Sequence, residues 1–92
     1  MAILMISDAS DNTLAQYDEV AKRLAAAGQM HPPGRLSHVA ARKGTGYLVV
    51  DVWESQEPFD RFVQTLRPLM EQVGGAVAQM QVHPVHNRID SA

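Results

Sequence analysis

Lys43-Gly44-Thr45-Gly46, followed by Tyr47-Leu48-Val49-Val50-Asp51-Val52-Trp53-Glu54, decides the fold of this chain. The Gly-Thr centre suits a tight type II′ hairpin turn, which needs a positive φ at its first central residue. The residues after it are β-branched or aromatic, so 47–54 reads as a strand, with 35–42 as its antiparallel partner. Downstream, Ser55 offers an N-cap to a helix that turns Phe59, Phe62, Val63, Leu66, Leu69, Met70 and Val73 inward. Pro58 is tolerable in the first turn, Pro68 is expected to bend or split the helix, and Gly74-Gly75 stops it. A last strand is expected from 76 to about 85 through Val77, Met80, Val82 and Val85, with 86–92 as a tail. Upstream, the apolar run 2–7 reads as a strand buried on both faces, ended by the turn-rich 8–12. Thr13 then caps a helix with Leu14, Tyr17, Val20, Ala21 and Leu24 on one side, and Gly28 closes it as a left-handed residue. Gln29-Met30-His31-Pro32-Pro33-Gly34 is a loop, because adjacent prolines lack donors and fix φ.

The order strand, helix, strand, strand, helix, strand, with right-handed crossovers, predicts an α+β fold. It is ferredoxin-like, βαββαβ, with a four-stranded antiparallel sheet and both helices on one face. The 92 residues make one domain. The other sheet face stays bare although both phases of the strands are apolar. A homodimer that covers this face is therefore expected.

Composition narrows the function. The absence of cysteine excludes thiol nucleophiles, redox pairs, zinc ribbons and iron–sulfur clusters, and points to the cytoplasm. Eight Lys and Arg against ten Asp and Glu, scattered along the chain, leave no electrostatic footprint for nucleic acid. The apolar start, Met1 to Ile6, has no basic residue before it and is interrupted by Asp8, so neither a signal segment nor a membrane partner is expected. No glycine-rich loop cradles a phosphate, and no serine has an elbow or relay around it. No cofactor is expected.

Alternation on the strand 47–54 separates an aliphatic row, Leu48, Val50 and Val52, from a mixed row, Tyr47, Val49, Asp51 and Trp53. The aliphatic row suits packing under helices. The mixed row belongs in a cavity or interface, which makes Trp53, Val49 and Tyr47 the candidate binding residues. Trp53 reads either as a pocket wall or as an interface anchor that contributes only burial. Tyr47, at the start of the strand, reads as a lining residue or as simply exposed. Asp51 needs a partner in apolar surroundings, and it is a candidate catalytic carboxylate or one half of a structural pair. His38 is in phase with Leu36 and Ala40 and is a candidate general base, with a hydrogen-bonded structural histidine as the alternative. Tyr17, Phe59 and Phe62 are assigned to helix packing. His83 and His86 point to opposite faces of a strand and do not chelate, His31 lies in the proline loop, and no metal is expected. On the last strand, Gln79, Gln81 and His83 share one phase and Met80, Val82 and His86 the other. Alternation leaves open which phase lines the cavity.

Val52-Trp53-Glu54-Ser55-Gln56-Glu57 opening a helix with Phe59, together with Val82-His83-Pro84-Val85-His86-Asn87, resembles small antibiotic-biosynthesis-monooxygenase-like proteins of the dimeric α+β barrel superfamily. The resemblance covers nearly the whole chain through element order, and its specific core is the Trp-Glu-Ser segment. It implies a homodimer whose sheets close a barrel, with a cavity between each sheet and its helices or the neighbouring barrel wall. It also implies cofactor-free oxygenation of aromatic polyketides or quinols, haem degradation, or a role not yet assigned. The sequence departs from that pattern at three points. The family's histidine about nine or ten residues after the tryptophan falls on Phe62-Val63. The asparagine of the polyketide oxygenases falls on Val49. Leu4, Met5, Ile6 and Ser7 supply none of the first-strand asparagine that haem degraders use. The resulting expectation is a small dimeric barrel protein that binds a small apolar or aromatic molecule at Trp53, Asp51 and His38, as a cofactor-free monooxygenase or as a non-catalytic binding module.

Overall fold

The computed structural model describes residues 1–91; Ala92, the end of the expected tail, lies outside them. The elements follow the expected order: β1 (Ile3–Ala9), α1 (Leu14–Ala26), β2 (Arg35–Lys43), β3 (Gly46–Trp53), α2 (Gln56–Gln72) and β4 (Met80–Pro84). All strand pairs are antiparallel and the sheet order is β2-β3-β1-β4, the ferredoxin-like α+β arrangement.

Local chemistry explains most boundaries. Thr13 and Gln16 form a reciprocal capping box: the Thr13 hydroxyl accepts from the Gln16 N–H at 3.1 Å, and Gln16 Oε1 accepts from the Thr13 N–H at 3.0 Å. The β2–β3 turn is the two-residue loop Gly44-Thr45 between paired Lys43 and Gly46, with Gly44 at φ 59°. Gly46 has no room for a side chain, since a Cβ there would lie 2.5 Å from the Ala9 carbonyl oxygen. Three local expectations are corrected. α2 runs unbroken through Pro68, which sits on the exposed side. Ser55 holds the N-cap position of α2, but its hydroxyl makes no capping bond. β4 begins only at Met80, because the backbone of Ala76, just after Gly74-Gly75, is bound by the Asn12 side chain instead of a strand.

The two faces of the sheet are the reverse of the expectation from alternation. Ile3, Met5, Ser7 and Ala9 of β1, with Tyr47, Val49, Asp51 and Trp53 of β3, are the buried phase and pack against Phe59 and Phe62 of α2. The aliphatic row Leu48, Val50 and Val52 lies instead on the bare face, beside Leu4 and Ile6 and opposite Val39, which is 60% exposed. β1 is accordingly buried on one face only. The physical reason is volume and partnership. Trp53, with no exposed surface, needs the thickness of a helix layer, and it meets Phe59 edge-on at 5.8 Å and Phe62 at 5.4 Å between ring centroids. Asp51 lies in the same row because its polar partners are there.

Candidate functional site

β2 and β3 pair His38 with Asp51 across the strands, so both side chains rise from the helix-covered face. His38 Nδ1 lies 2.6 Å from Asp51 Oδ1, and the Trp53 indole N–H donates to Asp51 Oδ2 at 3.3 Å. Asp51 is 3% exposed, and the two donors answer the cost of burying its carboxylate. With Nδ1–H given to a carboxylate that accepts at both oxygens, the remaining nitrogen of a neutral imidazole, Nε2, is an acceptor. It is occupied: the Tyr17 hydroxyl of α1 donates to it at 2.7 Å. Tyr17, His38, Asp51 and Trp53 thus form one hydrogen-bonded file running from the helix layer into the sheet. The Tyr17 and His38 rings are near parallel, 7° apart, and Tyr47 meets Tyr17 edge-on at 5.1 Å.

This file borders a cavity of about 140 Å³ between the sheet and both helices. Met5, Phe59, Phe62 and Leu66 provide apolar walls, while Ser7, Asn12, Tyr17, Arg35, His38 and Asp51 provide its polar groups. Burial raises the Tyr17 hydroxyl above its ordinary value of 10.0, and the nearby Arg35 charge opposes that rise. Burial likewise raises Tyr47, with a hydrogen bond to Asn12 working against it. The Arg35 guanidinium sits 5.6 Å from the Phe62 ring centroid and donates to the Met30 carbonyl at 2.7 Å. No carboxylate among the described residues pairs with it.

Of the residues singled out from the sequence, His38, Asp51, Val49 and Tyr47 line the cavity. Tyr47 is buried, not exposed, because β1 and α1 close over the strand's first turn. Trp53 is not a wall of the cavity: it stands behind Asp51, and its contribution there is packing and one hydrogen bond. The cavity also lies under the helices, where the mixed row faces, and not between two sheet faces. On β4, Val82 and Met80 face the helix side with Met5 and Ser7, whereas His83 and Gln81 share the bare face with Leu4 and Ile6. His86 lies beyond the strand in the exposed tail. The sequence assigns Tyr17 to helix packing and marks Arg35, Asn12 and Ser7 for no site. Tyr17 shares the helical period of Val20 and Leu24, so its hydroxyl left no mark in the pattern, and Arg35 simply opens β2.

No protein-family model and no curated protein matches the sequence. Solved structures do match over nearly the whole chain. SnoaB, a cofactor-independent oxygenase from Streptomyces nogalater, superposes with a TM-score of 0.60 at 17% identity, covering 98% of this chain and 95% of that one. A protein from Chloroflexus aurantiacus, provisionally assigned to the antibiotic biosynthesis monooxygenases, matches with a TM-score of 0.54 at 19% identity over 95% and 94% of the two chains. The chain has the antibiotic-biosynthesis-monooxygenase fold. A haem-degrading protein from Mycobacterium tuberculosis shares it, with a TM-score of 0.55 at 23% identity over 98% of this chain and 100% of that one. On this version of the fold, the residues do not suit a haem iron. His38 is the histidine that borders the cavity, and both of its ring nitrogens are engaged. Among the described residues, no three His, Asp or Glu side chains gather at ligand distance, and no helix is long and apolar enough to cross a membrane.

Proposed function

We propose that this protein binds a small, largely apolar or aromatic molecule with an acidic hydroxyl or activated C–H, and that it acts as a cofactor-independent monooxygenase in which His38 is the base. The observation that carries this reading is the Asp51–His38 pair at 2.6 Å, buried at one end and meeting Tyr17 at the border of the cavity at the other. A carboxylate behind Nδ1 orients the imidazole and stabilises the cation formed when Nε2 takes up a proton. Proton loss from a carbon or oxygen acid conjugated to an aromatic ring leaves a delocalised anion, electron-rich enough to react with O₂ directly. Overall, a CH₂ group and O₂ become a carbonyl and water. Arg35, cationic and without a carboxylate partner among the described residues, lies beside the same cavity and can stabilise the anion. At about 140 Å³ the cavity is below the ~300 Å³ at which common ligand sites begin, which favours a molecule of one or two rings.

The bare face, with Leu48, Val50, Val52, Leu4 and Ile6 side by side and Val39 exposed, supports a face-to-face homodimer. The cytoplasm is the compartment that a cysteine-free chain suits. A non-catalytic binding role is the competing reading, and one observation favours it: the hydrogen-bonded file is complete without any ligand. Oxygen uptake decides between them. Wild type, His38→Ala and Asp51→Asn are each given a panel of one-ring quinols and the two-ring ketone 2-indanone in air. Uptake that falls about 100-fold or more in His38→Ala supports the base. Equal uptake in all three proteins removes it and leaves the binding role.

A further inference from the structure

The base proposed above is not free to touch a ligand. His38 Nδ1 faces Asp51 at 2.6 Å, and Nε2 already receives the Tyr17 hydroxyl at 2.7 Å. A molecule in the cavity therefore meets the Tyr17 oxygen first. That oxygen gives its hydrogen to Nε2 and keeps a lone pair for a second hydrogen bond. We propose that Tyr17 is the catalytic residue that takes the ligand's proton, passing its own to His38 in the same step. This inference rests on the reading of His38 as a base and assigns the group in front of it.

In this step the ligand C–H or O–H bond breaks and its proton bonds to Tyr17 Oη. The Tyr17 O–H bond breaks together with it, and that proton bonds to His38 Nε2. The products are the ligand anion, a neutral tyrosine and an imidazolium held against Asp51. No electron leaves the ligand at this stage, so no oxidant is needed.

Three features of the site agree with a concerted transfer. Burial keeps the Tyr17 hydroxyl protonated at ordinary pH, so it is not a ready-made phenolate, and it needs His38 to accept its hydrogen as it takes another. The Tyr17 ring is fixed by two neighbours, parallel to His38 and edge-on to Tyr47 at 5.1 Å, which holds the oxygen on the line to Nε2. The partly exposed Tyr17 and His38 stand where α1 meets β2 at the border of the cavity, whereas Asp51 lies buried behind them.

The test uses 2-indanone carrying tritium at its activated CH₂, a two-ring carbon acid, and follows release of the label into solvent in H₂O and in D₂O. The full chain is compared with Tyr17→Phe and His38→Ala, and thermal melts check that each is folded. Tyr17→Phe keeps the ring packing and removes only the hydroxyl. The expected result is release lowered about 100-fold in both variants, with 2-indanone binding to Tyr17→Phe within threefold of wild type. A solvent isotope effect clearly above unity is expected in wild type, because the proton that Tyr17 hands on comes from solvent. Abstraction by His38 alone moves only the label and gives no such effect. Release in Tyr17→Phe equal to wild type, with His38→Ala inactive, overturns the role of Tyr17 and leaves His38 as the base. No release above background by wild type overturns the base and the relay together.

Discussion

The two faces of the sheet use the same strands for opposite purposes. On the helix side, β3 contributes Tyr47, Val49, Asp51 and Trp53, a row in which polar groups are buried and each has a partner. On the bare side it contributes Leu48, Val50 and Val52, which no element among the described residues covers. A buried polar group must be answered by geometry fixed to a few tenths of an ångström, whereas an aliphatic row asks only for something apolar to lie against it. The first kind of surface can do directed chemistry, and the second can hold a partner.

Substitutions on the helix side should therefore damage the fold, and those on the bare side the assembly. Trp53→Ala removes the most deeply buried side chain and the indole donor to Asp51, and should lower stability by about 3–5 kcal/mol in denaturant titrations. A loss under 1 kcal/mol would show that the helix layer does not depend on it. Val50→Asp places a charge in the centre of the bare face. By light scattering, the mass should fall from twice 10.1 kDa to 10.1 kDa. The melting temperature should lose its dependence on protein concentration, a contribution of ~2.7 kcal/mol at a hundredfold excess over the dimer Kd. A wild-type protein that is already a 10.1 kDa species would break the comparison at this face.

How much of this contrast was legible in the sequence follows from what alternation encodes. Period-two patterning placed Asp51, Trp53, Val49 and Tyr47 on one side and put His38 in a phase of its own strand. The hairpin turn at Gly44-Thr45 then brought His38 and Asp51 into register. Alternation does not say which side faces the helices when both rows are apolar. The aliphatic row reads as inward because it resembles an ordinary core, yet it is the mixed row, with its tryptophan, that needs the space there. Tyr17 was invisible for a related reason: on an amphipathic helix a tyrosine counts as an apolar position, and only the contact of its hydroxyl with His38 gives it chemistry. Resemblance to a fold family leaves two places for a cavity, between sheet and helices or at the neighbouring barrel wall, and the cavity of about 140 Å³ lies between sheet and helices.

Smaller effects sharpen the helix side further. Asn12 grips Ala76 from both ends, its amide donating to the carbonyl at 2.7 Å and its oxygen accepting from the N–H at 3.2 Å. Asn12→Ala should cost about 1–2 kcal/mol, seen as faster amide exchange at Ala76 and its neighbours. Smallest of all is the alkaline limit. Burial raises the hydroxyls of Tyr17 and Tyr47 above 10.0, so the folded state holds their protons more tightly than the unfolded chain. Their contribution is intact below about pH 10 and is lost as pH rises through the raised folded values. Tyr47→Phe should flatten that part of the stability curve, and an unchanged slope would show that Tyr47 ionises as freely as an exposed tyrosine.

The division between the faces is tested most directly by amide chemical-shift mapping of the labelled protein during titration with 2-indanone. Saturable shifts at Tyr17, His38, Val49 and Asp51, with Leu48, Val50 and Val52 unmoved, are the predicted result. Shifts confined to the aliphatic row, or none at a concentration that saturates release of the label, would contradict the assignment of the chemistry to the helix-covered face.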